Sequence, residues 1–148
     1  METWELIARE LIGETLAHYA HCADTGRFAD LVELFVEDGV LAIDGRDPLR
    51  GRAAILAFLG STKRSLAAGM AQPYIRHHVS SVTIELHNST QASARSYFLA
   101  ITDRGPDHWG RYRDDLVHVD GRWLFQQRRV RPDGHSEHSW RATRRQEP

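Results

Sequence analysis

The chain has 148 residues, enough for one domain with a hydrophobic core of its own. Acidic and basic residues nearly cancel at a formal net charge of -1, which removes the basic footprint of a nucleic-acid-binding protein. A single cysteine, Cys22, excludes an intrachain disulfide and a four-cysteine zinc site, and no apolar run approaches the ~18 residues of a membrane span.

The N-terminal stretch METWELIARELIGET alternates in charge instead of pairing a basic start with an apolar block. It therefore reads as no secretory signal, and the expected location is the cytoplasm. Ala8, Ile12, Leu16, Tyr19 and Ala23 recur at the three-and-four spacing of an amphipathic helix, which predicts a first helix over residues 2–23. Asp24 and Gly26 then mark a turn. Phe28, Leu31, Val32 and Phe35 define one face of a second, shorter helix. EDGVLAID reads as a turn into a short strand, GRDPLRG as a loop, and RAAILAFLGSTKRSL as a third helix that ends near Gly69 and Pro73.

The second half changes period. IRHHVSSVTIELH, QASARSYFLAIT, WGRYRDDLVHV and RWLFQQRRV are strand-like runs, separated by NST, DRGPDH and the hairpin signal DG. Short turns make the four strands antiparallel neighbours. Helices followed by a meander predict an α+β fold with the helices on one face of a curved sheet. Residues 1–131 form the expected single domain, and residues 132–148 a polar tail.

His77 and His78 are adjacent, so on a strand they point to opposite faces. His78 shares its parity with Val82, Ile84 and Leu86, which selects His78 as the inward ring. On the next run Ala92, Ala94, Ser96, Phe98, Ala100 and Thr102 share a face of mostly small side chains. Under covering helices such a face permits close packing or leaves a cavity beside the histidine. Asp114 and Asp115 are adjacent and cannot act as a pair; one is expected to meet Arg95, Arg113 or Arg128 across the sheet. The HSEH spacing of His135 and His138 has no cysteine or carboxylate cluster around it, so no metal site is expected.

YAHCAD, GRFADLVELFVEDGVL, GRAAILAFL, RHHVSSV and GRYRDDLVHVDGRWLFQQRRV together resemble the SnoaL-like branch of the NTF2-like superfamily. Within it they are most similar to the scytalone dehydratase and bile-acid dehydratase group. The resemblance spans residues 4–131 and implies a cone-shaped roll, three N-terminal helices packed on a curved, mostly antiparallel sheet. It also implies that an aspartate after the first helix bonds the inward histidine, which maps to Asp24 and His78, and that Tyr19 is a pocket tyrosine. The second histidine of the scytalone enzymes falls near Thr102, and their small polar pair near Gly110 and Tyr112, so neither is reproduced.

A histidine held by a carboxylate suits dehydration of a β-hydroxy carbonyl compound, which needs a base at the α-carbon and an acid for the departing hydroxyl. The expectation is a cofactor-free dehydratase, or a related cyclase or isomerase, acting on a small hydrophobic, ring-containing substrate such as a polyketide or steroid-like hydroxy-ketone. His78, Asp24 and Tyr19 carry the chemistry in this reading, and Tyr112, Ser96, Phe98, Thr102 and Trp123 line the site. The implied partner is a second copy in a homodimer or small oligomer, with no nucleic acid or membrane. The competing reading is a non-catalytic binding protein, or an accessory subunit like those of dioxygenases.

Overall fold

In the computed structural model residues 1–68 and 74–139 are described; the predicted helix exit at Gly69 and Pro73 lies outside them. Helix α1 spans Thr3–Thr25 and starts in a capping box, with the Glu2 amide donating to the Glu5 carboxylate at 2.6 Å. It stops at Gly26, whose φ of 71° suits a left-handed cap. Ala8, Ile12, Leu16, Tyr19 and Cys22 form its buried stripe, so the predicted spacing and the packing agree.

Helix α2 is only Phe28–Val32, and strand β1, Phe35–Ile43, takes Phe35 out of the predicted helix. The cause is tertiary: the Phe125 amide donates to the Leu34 carbonyl at 2.8 Å, drawing this segment into the sheet. A two-residue strand β2, Leu49–Arg50, sits in the predicted loop, and helix α3 follows at Arg52–Ala68. Strands β3 (Ile75–Leu86), β4 (Gln91–Thr102), β5 (Gly105–Val119) and β6 (Arg122–His135) form the expected antiparallel meander. The Asp120–Gly121 hairpin has both residues at positive φ, 49° and 77°, as a two-residue turn requires.

The six strands are ordered β2-β1-β6-β5-β4-β3, with β1 parallel to β6 and every other pair antiparallel. Chain order carries β1 and β2 to one edge and, through α3, β3 to the other. Helices α1 and α3 cover one face, α1 against β3 and β6, α3 against β1 and β2. This is the helix-on-curved-sheet roll that the order of elements implied. All six alternate β4 residues from Ala92 to Thr102 are buried beneath the helices, as the small-residue face predicted.

Regular alternation fails at three places that matter. On β3, Ser80 pairs with Tyr97 and Thr83 with Arg95, so Ser81 and Val82 together oppose Ser96. Ser81 is at φ 53°, the kink of a bulge that inverts side-chain parity. On β5, Pro106 pairs with Ile101 and His108 with Ala100, leaving Asp107 as an extra residue. On β6, Gln126 is the extra residue, because Phe125 pairs with Leu116 and Gln127 with Asp115. The predicted boundary at residue 131 moves as well. β6 continues to His135, and Ser139 beyond it is 1% exposed, so the polar letters after Arg131 do not begin a free tail.

Candidate active site

The predicted inward histidine is the wrong one of the two. His77 pairs with Ala100 of the buried β4 face, whereas His78 pairs with Leu99 and is exposed. The aliphatics that argued for His78, Val82, Ile84 and Leu86, lie beyond the bulge, where the parity has changed. His78 therefore has no place in the site.

Asp24 meets a histidine, but His77 in place of the expected His78. The last turn of α1 brings its carboxylate to the start of β3. There Oδ1 meets His77 Nδ1 at 2.6 Å, and the His77 amide donates to Oδ2 at 2.9 Å. One carboxylate thus holds both ring and backbone of the same residue. With Nδ1 carrying the proton toward Asp24, the neutral ring keeps its lone pair on Nε2.

A second dyad was not anticipated. His108 Nδ1 lies 2.6 Å from Asp107 Oδ2, with both side chains about 95% buried, at 4% and 5% exposed. Neighbours on a regular strand point apart; the β5 bulge lets this pair face one another. DRGPDH reads as a loop because of its glycine and proline, yet a proline is admissible at the first positions of a strand. The adjacent acid and histidine were the available signal. The ring centroids of His77 and His108 are 6.1 Å apart, and each is about 6 Å from Phe98, at 6.3 and 6.0 Å.

Both rings line a cavity of about 1140 Å³ between α1, α3 and the sheet. Tyr19, Tyr112 and Phe98 line it too, with Phe28 and Phe58 among its apolar walls. Phe98 stacks on Tyr112 at 4.6 Å, and Gly110 makes this possible, because a Cβ there would sit 2.9 Å from the Phe98 ring. The other predicted lining residues are elsewhere. Ser96 is buried opposite the β3 bulge, and the Thr102 hydroxyl accepts from the Arg104 amide. Trp123 stacks on His118 at 5.1 Å.

Beneath the tyrosines lies an ion pair. Arg128 is fully buried and donates to both oxygens of Asp114, at 2.8 and 2.9 Å. Its guanidinium carbon is 3.8 Å from the Tyr112 ring centre and 4.2 Å from that of Tyr19. Arg128 was one of the three partners expected for the paired aspartates, and Asp115 points away to solvent. Burial opposes the Arg128 charge, but attraction and hydrogen bonds to Asp114 outweigh it and hold the guanidinium above its ordinary range. Burial raises the Tyr19 phenol, against the pull of Arg128, and burial with Tyr19 alongside raises Tyr112. Both phenols are thus protonated donors throughout the neutral range. Among the described residues no three histidine, cysteine, aspartate or glutamate side chains group as metal ligands. No helix among them is long and apolar enough to cross a membrane.

Residues 4–129 match the SnoaL-like domain family. The chain belongs to that family. Comparison with curated proteins finds no match. A candidate scytalone dehydratase from Novosphingobium aromaticivorans superposes with a TM-score of 0.80 at 27% identity, covering 93% of this chain and 92% of that one. An NTF2-like protein with a cystatin-like fold from the same organism gives 0.76 at 29% identity, over 93% and 88%. ActVI-ORFA from Streptomyces coelicolor, at 24% identity and a TM-score of 0.73 over 85% and 98%, shares the fold.

Proposed function

We propose that the protein dehydrates a β-hydroxy carbonyl compound, or performs a closely related cyclisation or isomerisation, by proton transfer between two histidines. The observation that carries this reading is the pair of His–Asp dyads, His77–Asp24 and His108–Asp107, on one cavity. Dehydration needs a base and an acid at once, and two rings 6.1 Å apart provide both around a substrate's α- and β-carbons.

In this mechanism one neutral ring removes the α-proton. The electrons pass to the carbonyl oxygen as an enolate, which the Tyr19 and Tyr112 hydroxyls stabilise as donors. The enolate then collapses, forms the α,β double bond and expels the β-hydroxyl, which leaves as water with a proton from the other, protonated ring. Each aspartate orients its histidine and stabilises the imidazolium while it carries the extra proton. The aromatic walls, Phe28, Phe58 and Phe98, suit a flat, apolar, ring-containing substrate of the polyketide or steroid-like kind.

The test is turnover of a panel of cyclic β-hydroxy ketones, followed by the absorbance of the conjugated product. The wild-type protein should convert at least one compound, with a bell-shaped pH dependence of kcat/KM. His77→Gln and His108→Gln should each remove one limb of the bell and about 10²–10⁴-fold of rate. Turnover unchanged in both variants would overturn the mechanism.

A further inference from the structure

The segment after β6 ends against the second dyad. The Ser136 amide donates to the Asp107 carbonyl at 2.8 Å, and the Ser139 amide turns back to the Ser136 carbonyl at 3.2 Å. This turn delivers the Ser139 hydroxyl to Asp107 Oδ2 at 2.8 Å, the same oxygen that meets His108 Nδ1 at 2.6 Å. Ser139, Asp107 and His108 are 1%, 4% and 3% exposed, so water is not on hand to replace a lost donor.

We propose that Ser139 is a positioning residue for His108, acting through Asp107, and that residues 136–139 are a working part of the site. The inference rests on the acid–base reading above for its importance to catalysis, though not for its geometry. Asp107 sits in a bulge, where an extra residue leaves the ladder unable to fix its side chain. Two contacts from the chain beyond β6 supply that constraint, one on the Asp107 backbone and one on its carboxylate. With the carboxylate fixed, the His108 proton is kept on Nδ1 and the ring is held in one orientation. Outer partners of this kind hold the tautomer of ligand histidines in metal sites, where their loss costs about 10–100-fold in activity.

The donor also has an electrostatic effect. A hydroxyl bonded to Oδ2 disperses part of the carboxylate charge, so less is left to stabilise an imidazolium at His108. Its removal loosens the tautomer and, at the same time, returns charge to the carboxylate. Both consequences are visible at the His108 ring and absent from His77, whose carboxylate belongs to a different element.

The test is 15N NMR of the histidine rings across the neutral pH range, with His108 assigned by its loss in His108→Gln. In the wild-type protein His108 should be a single Nδ1–H tautomer when neutral. Ser139→Ala should populate the Nε2–H tautomer and move the His108 titration midpoint, with that of His77 unchanged. Ser139→Cys, which keeps a weak donor, should give a smaller change of the same kind, and Ser139→Thr should restore the wild-type spectrum. Identical His108 tautomer and midpoint in wild type and Ser139→Ala would overturn the proposal. So would equal shifts at His77 and His108, which would mean general loosening. Because no substrate is needed, this outcome is independent of whether the site dehydrates anything. Where a substrate is turned over, Ser139→Ala should lower kcat about tenfold with KM held.

Discussion

The two ends of the sheet beneath α1 are built on different terms. At one end Ala8, Ile12 and Leu16 of the helix and Ala92, Ala94 and Leu116 of the strands belong to one continuous apolar core. Alternation on β4 is regular there, and Ala92 and Ala94 turn into that core. At the other end the same helix finishes in Tyr19 and Asp24, and the strands open around a cavity bordered by two histidines. Both His–Asp dyads at that end depend on an irregularity: the Gly26 cap that ends α1 beside Asp24, the β3 bulge that follows His77, and the β5 bulge at Asp107. The packed end supplies the stability, and the irregular end holds polar groups that a regular sheet would have turned to solvent or buried unpaired.

The comparison breaks most sharply if the two ends can be uncoupled. His77→Gln with His108→Gln should remove at least the ~10²–10⁴-fold that one positioned acid–base group contributes. A tenfold change in rate is about 1.4 kcal/mol of barrier, so this is the largest effect expected of any substitution here. Thermal unfolding should move little in His77→Gln, whose ring is half-buried, and should fall in His108→Gln, which takes the ring partner from the buried Asp107 carboxylate. A fall in Tm as large in His77→Gln would mean that the open end is structural throughout.

The same contrast explains what could be read from the letters alone. The α1 stripe, the β4 small-residue face, the Asp–Gly hairpin and the Asp24 anchor were all legible, because each is a local pattern with a fixed period or a turn residue. His77 was misassigned for one reason: a parity taken from Ile84 and Leu86 was carried across Ser81, and nothing in RHHVSSVTIEL marks the bulge. Asp107 and His108 were hidden by the opposite effect, since Gly105 and Pro106 resemble loop chemistry while forming the start of a strand. Ser139 could not be read at all, as a long-range contact from a polar stretch leaves no periodic trace.

Between the two ends stands the Arg128–Asp114 pair, and its removal should be next in size. Arg128→Leu leaves a fully buried carboxylate without its partner, a loss of about 3–5 kcal/mol in urea unfolding. Asp114→Leu combined with Arg128→Leu should recover part of that loss, because no lone charge is then buried. If the double variant is as stable as the wild type yet turns over more slowly, the ion pair serves the tyrosines above it rather than the core. Ile12→Ala, at a fully buried position of the packed end, should cost about 2–5 kcal/mol in the same measurement. It should leave the titration of both histidine rings unchanged, since Ile12 does not border the cavity.

The smallest effect sharpens the boundary at the cavity mouth. Asp44 accepts hydrogen bonds from Arg129 at 2.9 Å and Arg131 at 3.0 Å, tying the end of β1 to β6 on the surface. The hydrogen bond from Arg129, then the charges of both arginines, hold the Asp44 carboxyl below its usual value of 3.8. A carboxyl depressed in the folded state binds fewer protons there than in the unfolded chain. Its stabilisation is therefore present above pH 3.8 and lost as pH falls through the lower folded value. Asp44→Asn should leave neutral-pH activity unchanged and flatten the decline in stability below pH 3.8, measured as urea midpoints against pH. The carboxylate lies at the surface, so the difference should shrink in high salt. An acid-limb change that salt does not reduce would place Asp44 with the buried polar groups of the open end instead of on its rim.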